Sequence, residues 1–438
     1  MTTTTASHRL WRDTRYLVWL ASDTSTGLAA ALSSFAIPLL TLVVTHDPAQ
    51  AGIIAGSGLV VHLVLTLAGG VLADRHRRVV LMIVGAALGI VFSGTFALLA
   101  AADALAFGAL FAINLLLAAR NGLFDVAGES AIKEIVPDEA MGRAQAANQG
   151  RDAALQLAGG PLGGVLLGVG GWAIGAVMAL CHLLAGVTAG ILARGRTDAG
   201  ARAVREGVDP RASATVRRSA RAELGEAFRW LLARPDLAGM LAITTIINLG
   251  FSAATTTTIY ALQQSGQSEL LIGGLSAGVG AVMLVGALIS PLLVPRVGTG
   301  ILTIVSLAVV AVATIVLSFV VEPGPILAVL GAAVLLVPAL NAAMLGYFMV
   351  ATPSRLLGRA NSIVALLGMG AMPLGPLIAG FGLAWVGRQS TILFCAALCV
   401  AAVVLATGTR ALRALPAEAQ WAEHARRFAD GATGRGAN

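Results

Sequence analysis

Ionisable residues sit inside stretches that are otherwise apolar, among them Asp23, Arg120, Arg151 and Asp152. An isolated charge in hydrocarbon is costly, so such residues persist where they pair or face a water-filled path. A buried acid beside a movable arginine changes its proton affinity with conformation, which is the chemistry that couples proton movement to another event. Asp23, within Ser22-Asp23-Thr24-Ser25-Thr26-Gly27, fits a proton carrier or a carboxylate that recognises a cationic group. An interfacial acid held by an arginine, or one capping a broken helix, would use the same residue. The expected arrangement pairs Arg120 or Arg151 with Asp23 or Asp152. A purely structural ion-pair network would draw on the same four.

The elements that carry these residues follow from composition. The chain has 438 residues, 57% hydrophobic and 12% charged, with a mean hydropathy of +0.85. A soluble domain is roughly a quarter charged, so this is an all-α polytopic membrane protein. A spanning helix needs about 20 apolar residues, and twelve stretches qualify. They are Tyr16–Val44, Ala51–Ala73, Val79–Ala102, Leu105–Ala127, Ala144–Val169 and Trp172–Ala193, then Leu237–Leu262, Leu270–Val294, Ile301–Val321, Ile326–Ala351, Ala360–Val386 and Thr391–Thr409. We number them as spans 1 to 12. Residues 1–193 form one six-helix half and 237–409 the other. Residues 194–236 are a linker and 410–438 a tail, expected as a short helix followed by disorder. The 52 glycines suit close helix packing in lipid.

Orientation follows the arginines. Arg9, Arg12 and Arg15 precede span 1, Arg75, Arg77 and Arg78 separate spans 2 and 3, and Arg410 and Arg413 follow span 12. Lys133, Arg143, Arg296, Arg355 and Arg359 occupy loops on the same side. The opposite loops hold Arg388 with Asp47, Asp103, Glu269 and Glu322. This asymmetry assigns both termini to the cytoplasm. The net charge of +7 therefore reports topology, and no basic stripe with interleaved aromatics suggests nucleic acid. In the linker, Leu224, Phe228, Leu231 and Leu232 make one apolar helical face opposite Glu223, Glu226 and Arg229. That helix is expected on the membrane surface or docked on the protein's own cytoplasmic face. Cys181, Cys395 and Cys399 all lie in apolar stretches and read as packing residues, without metal-ligand spacing. No Walker loop, nucleophile–base set or cleavable leader is evident.

The sequence also repeats. Gly142-Arg143-Ala144 and Gly160-Pro161-Leu162 in the first half match Gly358-Arg359-Ala360 and Gly375-Pro376-Leu377 in the second, as expected of two parallel halves around a midplane site. Gly70, Asp74, Arg75 and Arg78, spaced G-x-x-x-D-R-x-x-R between spans 2 and 3, resemble the loop signature of the major facilitator superfamily. Glu223–Leu231 and Arg234-Pro235-Asp236-Leu237 are similar to its enterobactin- and macrolide-exporter branch. The resemblance implies rocker-switch alternating access in a bacterial cell membrane, by a monomer that needs a proton gradient and no cofactor. It implies proton transfer at Arg120. It also implies a latch from Asp74, Arg75 and Arg78 to Asp125 or Glu129 and to the start of span 11 near Gly358–Asn361. Pro291–Arg296, the corresponding loop of the second half, has one arginine and no acid, so the latch is asymmetric.

Gly150 and Gly159-Gly160-Pro161-Leu162-Gly163-Gly164 in span 5 resemble the antiporter motif of exporters. Their glycines would let spans 5 and 8 approach, and the proline permits a bend. The second half shows no clear intramembrane charge. It offers Asn248, Thr255, Thr256, Tyr260, Asn341, Met344 and Tyr347 as candidate substrate-lining groups, with Asn114 from the first half. Neutral polar groups and flexible methionines suit a small amphipathic substrate. The expected function is export of such a molecule by proton antiport. An importer or uniporter, and a non-transporting sensor docking through its arginine-rich linker, are the rivals.

Overall fold

A computed structural model of the chain describes residues 10–194, 228–353, 356, 360, 363–364, 367–368 and 370–426, apart from the side chains of 138, 139, 142 and 146. Among them, eleven helical stretches are long and apolar enough to cross a membrane, and a shorter apolar helix accompanies them. The first nine are α1 (Thr14–Thr45), α2 (Pro48–Arg75), α3 (Arg78–Ala101), α4 (Phe107–Ala131), α5 (Asp138–Val169), α6 (Gly171–Arg194), α7 (Pro235–Gln264), α8 (Glu269–Leu293) and α9 (Thr299–Leu317). They coincide in order with spans 1 to 9. Polar residues set several ends. Asp13 caps α1 by accepting from the Arg15 and Tyr16 amides, and Asp47 caps α2 through Ala49.

Span 10 departs from the continuous helix expected of Ile326–Ala351. It is two helices, α10 (Pro323–Val334) and α11 (Val337–Ala351), interrupted at Leu335-Leu336. Pro338 in the first turn of α11 has no N–H to donate and disfavours helical backbone just before it, which accounts for the break. Span 11 is likewise interrupted by a turn at residues 371–373, which contains Pro373, before α12 (Leu374–Trp385). α13 (Gly387–Gly408) is span 12, and α14 (Arg410–Arg413) follows it.

The helices form two compact units. The first holds α1 to α6 together with Tyr260–Ala277, the end of α7 and the start of α8. Leu32, Ile37, Ile54, Phe96, Leu110 and Ile174 centre one of its cores, and Tyr16, Trp19, Val79, Ile132 and Leu192 another. The second unit holds the rest of α7 and α8 with α9 to α14. Packing thus divides the chain differently from a six-and-six cut along the sequence. Backbone-close contacts made by Tyr260–Ala277 account for the difference.

The tail holds the short helix expected after α14, and that helix is docked on the protein rather than free. Leu415 and Trp421 are buried in the core of the second unit with Leu412 and Tyr347, and residues 421–426 are helical. The Trp421 indole N–H donates to Thr299 Oγ1 at 2.9 Å and to the Pro416 carbonyl at 3.2 Å. Apolar burial of this size outweighs the polar composition of the tail. Of the linker's amphipathic helix, residues 228–233 are described. Leu231 is buried in the same core while Phe228 and Leu232 are exposed. Residues 222–227, including Leu224, and most of the linker arginines lie outside the described residues.

Candidate functional site

Asp23 and Arg151 form an ion pair of 2.7 Å between α1 and α5. Arg151 also donates to Asp152 through Nε at 3.1 Å and Nη2 at 2.8 Å. Trp19, one turn before Asp23 and fully buried, stacks under Arg151 at 5.9 Å from its ring centroid. Its indole N–H donates to the Gly128 carbonyl of α4 at 2.8 Å. A Cβ at Gly128 would stand 2.6 Å from Asp23 Oδ1, so glycine there lets the carboxylate reach α4.

Arg120 is buried on α4 and engages its guanidinium within the unit. It donates to the Gly85 carbonyl at 2.9 Å, to Asn121 Oδ1 at 2.8 Å and to Asp125 Oδ1 at 2.9 Å. Asp125 lies within electrostatic reach of Asp23, and Glu129 within reach of Asp23, Asp125, Asp152 and Arg151. Among the described residues the cluster therefore holds four acids (Asp23, Asp125, Glu129, Asp152) and two arginines (Arg120, Arg151), a formal charge of −2. Asp152 is more than half exposed and Glu129 is exposed, so the cluster reaches the surface of the protein while Asp23, Arg120 and Arg151 stay largely buried. Of the four pairings anticipated, Arg151 with Asp23 and with Asp152 are both present. Arg120 instead takes Asp125.

The latch residues are arranged differently from the expectation. Arg78 pairs with Glu134 at 3.2 Å rather than with Asp125 or Glu129. Asp125 is already occupied by Arg120, and the 3-10 turn Ile132–Glu134 carries Glu134 toward the start of α3. Asp74 and Arg75 are exposed and make no ion pair among the described residues. Nothing lies within 4 Å of a Cβ at Gly70. The expected partner near Gly358–Asn361 lies outside the described residues apart from Ala360.

The span 5 glycines face two ways. Gly159 and Gly163 pack on Ala31 and Phe35 of α1. Gly160 and Gly164, one position on, pack on the start of α8, where a Cβ on Gly160 would meet Ser276 Cβ at 2.6 Å and one on Gly164 would run into the Glu269 carbonyl. Gly273 of α8 returns the contact, with its own Cβ position 2.5 Å from the Gly160 carbonyl. Pro161 lies inside the continuous helix α5. Gly150 has open space around it.

Several polar groups expected to line a cavity are engaged elsewhere. Asn114 donates to the Ile54 carbonyl at 2.8 Å. Tyr260 is buried and donates to the Ala51 carbonyl at 3.4 Å. Thr255 bonds the Phe251 carbonyl of its own helix, while Thr256 is partly exposed. Asn248 and Asn341 are exposed, and Met344 is buried. Tyr347 is fully buried and donates to Asp236 Oδ2 at 2.6 Å.

That contact reveals a charged group in the second half that the apolar windows passed over. Asp236, with 0% exposure, accepts from Arg234 Nε at 2.9 Å and Nη2 at 2.6 Å in bidentate geometry. Trp230 stacks on Arg234 at 5.8 Å. Burial works against the Arg234 guanidinium, but the hydrogen bonds and charge of Asp236 outweigh it, so its pKa lies above the ordinary arginine value. The signal was present in Arg234-Pro235-Asp236: proline opens a helix and the acid follows in its first turn.

Charged side chains gathered inside a bundle of apolar helices are what a membrane carrier needs, and comparison with known proteins agrees. The profile of the Major Facilitator Superfamily matches residues 23–357. No curated protein matches the chain. Solved structures share the fold, and three of them illustrate it. A bacterial homolog of the human lysosomal transporter Spinster, inward-facing and unoccupied, has a TM-score of 0.63 at 16% identity, covering 95% of this chain and 98% of its own. The nucleoside transporter NupG has 0.63 at 13%, covering 90% and 100%. A D-xylose-proton symporter has 0.62 at 16%, covering 92% and 98%. Identities this low carry fold and not substrate. With the family profile spanning most of the sequence and the fold matching over nine-tenths of it, this chain belongs to the major facilitator superfamily: it is a multi-pass membrane transporter of small molecules and not an enzyme.

Proposed function

We propose that this transporter exports a small amphipathic molecule, such as a drug, natural product or siderophore-like compound, in exchange for protons. The observation that carries the reading is the acid excess around Asp23. Four carboxylates and two guanidiniums leave a formal charge of −2 inside a membrane domain, and such a charge is costly there. Bound protons neutralise it, and so does a cationic group on the substrate. A site where the two compete is an antiporter. Asp23, paired with an arginine on another helix, is the natural carrier, because movement of α1 against α5 would separate the pair and change its proton affinity. Asp152, Arg120 and Asp125 set the local field. Arg78 with Glu134, beside Gly70, Asp74 and Arg75, would latch the loop between α2 and α3 in one conformational state. The closely packed glycines of α5 support the antiporter assignment, and the arginine asymmetry supports cytoplasmic termini in a bacterial cell membrane.

A second reading is uptake. The same carboxylates serve a proton symporter, and one protein of this fold is a D-xylose-proton symporter. The two readings separate in an efflux-deficient bacterium expressing wild type, Asp23→Asn or empty vector and exposed to lipophilic dyes, antibiotics and siderophores. Export predicts lower accumulation of at least one compound with wild type, abolished by a protonophore and by Asp23→Asn at equal expression. Raised accumulation, or an effect that survives both treatments, would replace export with uptake or uniport.

A further inference from the structure

α3 and α6 pack antiparallel and enclose a groove of about 420 Å³ on their outer face. Ile83, Ala87, Gly186, Val187, Gly190 and Ile191 line it. Val187 and Ile191 are each about half exposed. In a spanning helix, such apolar surface faces lipid tails. Gly186 is explained by packing, since its Cβ position lies 3.3 Å from Ala86 Cβ. Gly190 is not: nothing lies within 4 Å of its Cβ position. The missing side chain deepens the groove without bringing two helices together. At the end of α6 the groove reaches Arg194, which is exposed and makes no ion pair among the described residues. Exposed Arg77, just before α3, stands at the same membrane face. Arg78 beside it is matched by Glu134.

We propose that this groove binds one anionic phospholipid, with an acyl chain along Gly186 and Gly190 and the headgroup charge on Arg194. The charge complementarity decides the occupant. A neutral chain of any origin would need only the apolar walls, whereas the Arg194 guanidinium at the polar end, without an ion pair among the described residues, selects a negative headgroup. A second groove supplies an internal control. Between α9 and α10 the chain encloses about 470 Å³ lined by residues such as Val305, Val309, Val312 and Ala332, with no charged side chain. That groove takes an acyl chain without headgroup preference.

The test is native mass spectrometry of the full chain, purified in detergent and titrated with equal amounts of dioleoylphosphatidylglycerol and dioleoylphosphatidylcholine. Wild type is expected to retain the anionic lipid about fivefold over the zwitterionic one, the ratio one basic side chain supplies near an anionic surface. Arg194→Gln should erase that preference and leave the zwitterionic lipid unchanged. Gly190→Leu should displace the anionic lipid, with Gly190→Ala as a milder filler if the leucine variant folds poorly. Ala332→Leu should leave the preference intact. Equal retention by wild type, or a preference that survives Arg194→Gln, overturns the proposal. So does anionic lipid that stays bound when Gly190 is filled, which would put its site elsewhere. A photocrosslinker at Leu183 that captures a second copy of the chain instead of lipid would make the groove a dimer surface and also overturn it.

Discussion

Gly128 has no side chain where Asp23 needs the room. An alanine there would put a carbon 2.6 Å from Asp23 Oδ1 and push the carboxylate off Arg151. We predict that Gly128→Ala lowers proton-driven transport about tenfold, equivalent to roughly 1.4 kcal/mol at the barrier, with expression unchanged; transport kinetics in vesicles check this. Asp23→Asn should go further. It should abolish gradient-driven transport while keeping substrate counterflow, because Asp125, Glu129 and Asp152 still offer negative charge to a cationic substrate and exchange does not need the proton. Loss of both activities would make Asp23 a structural or substrate-binding group. At this scale the sequence was partly readable. Intramembrane charges are rare, so Asp23, Arg151 and Asp152 stand out from the apolar runs around them. Their partners did not all follow. Arg120 folds along its own helix to Asp125, five residues on, and Arg78 finds Glu134 through a 3-10 turn. Both outcomes depend on rotamers and turn direction, which spacing does not encode. Asp236 escaped because the apolar window began at Leu237 and left Arg234-Pro235-Asp236 as loop.

Elements meet through residues whose small size looks alike in sequence and differs in space. Gly150 and Gly160 belong to one motif, yet Gly160 touches α8 and Gly150 has open space around it. We predict that Gly160→Val eliminates transport by wedging α5 from α8. Gly150→Ala should keep full activity and gain up to about 1 kcal/mol of stability from helix propensity, read as a raised Tm in detergent. Equal effects of the two substitutions would contradict this division of roles. The clamp at the start of α7 is a second element-scale feature. Asp236→Asn leaves Arg234 buried without its counter-charge, a change that costs roughly 3–5 kcal/mol. Trp421→Ala, which empties the tail's anchor against Gly346 and Tyr347, costs about 3 kcal/mol. Thermal unfolding of the purified variants checks both. The twelve spans were visible because about 20 apolar residues make a strong, long signal. The breaks at Leu335-Leu336 and at residues 371–373 were hidden because the prolines responsible lie within runs that remain uniformly apolar.

At the scale of the whole molecule, the fold was recoverable because three coarse signals agreed: twelve apolar stretches, arginines concentrated in alternate loops, and an internal repeat half a chain long. The division into compact units was less so, since Tyr260–Ala277 joins the first unit through backbone-close contacts at Gly160, Gly164 and Gly273. Sequence order alone does not show such contacts. The substrate is least encoded of all, because pocket side chains come from several helices and each position is ordinary by itself. Transport chemistry can still be tested without knowing the natural substrate. The most direct measurement is proton movement in proteoliposomes that hold a pH-sensitive dye in the lumen, with an imposed gradient of a compound shown to be transported. Proton antiport predicts that inward movement of the compound makes the lumen more alkaline, and that Asp23→Asn removes this signal while counterflow persists. Acidification of the lumen, or transport with no proton movement, would contradict the account.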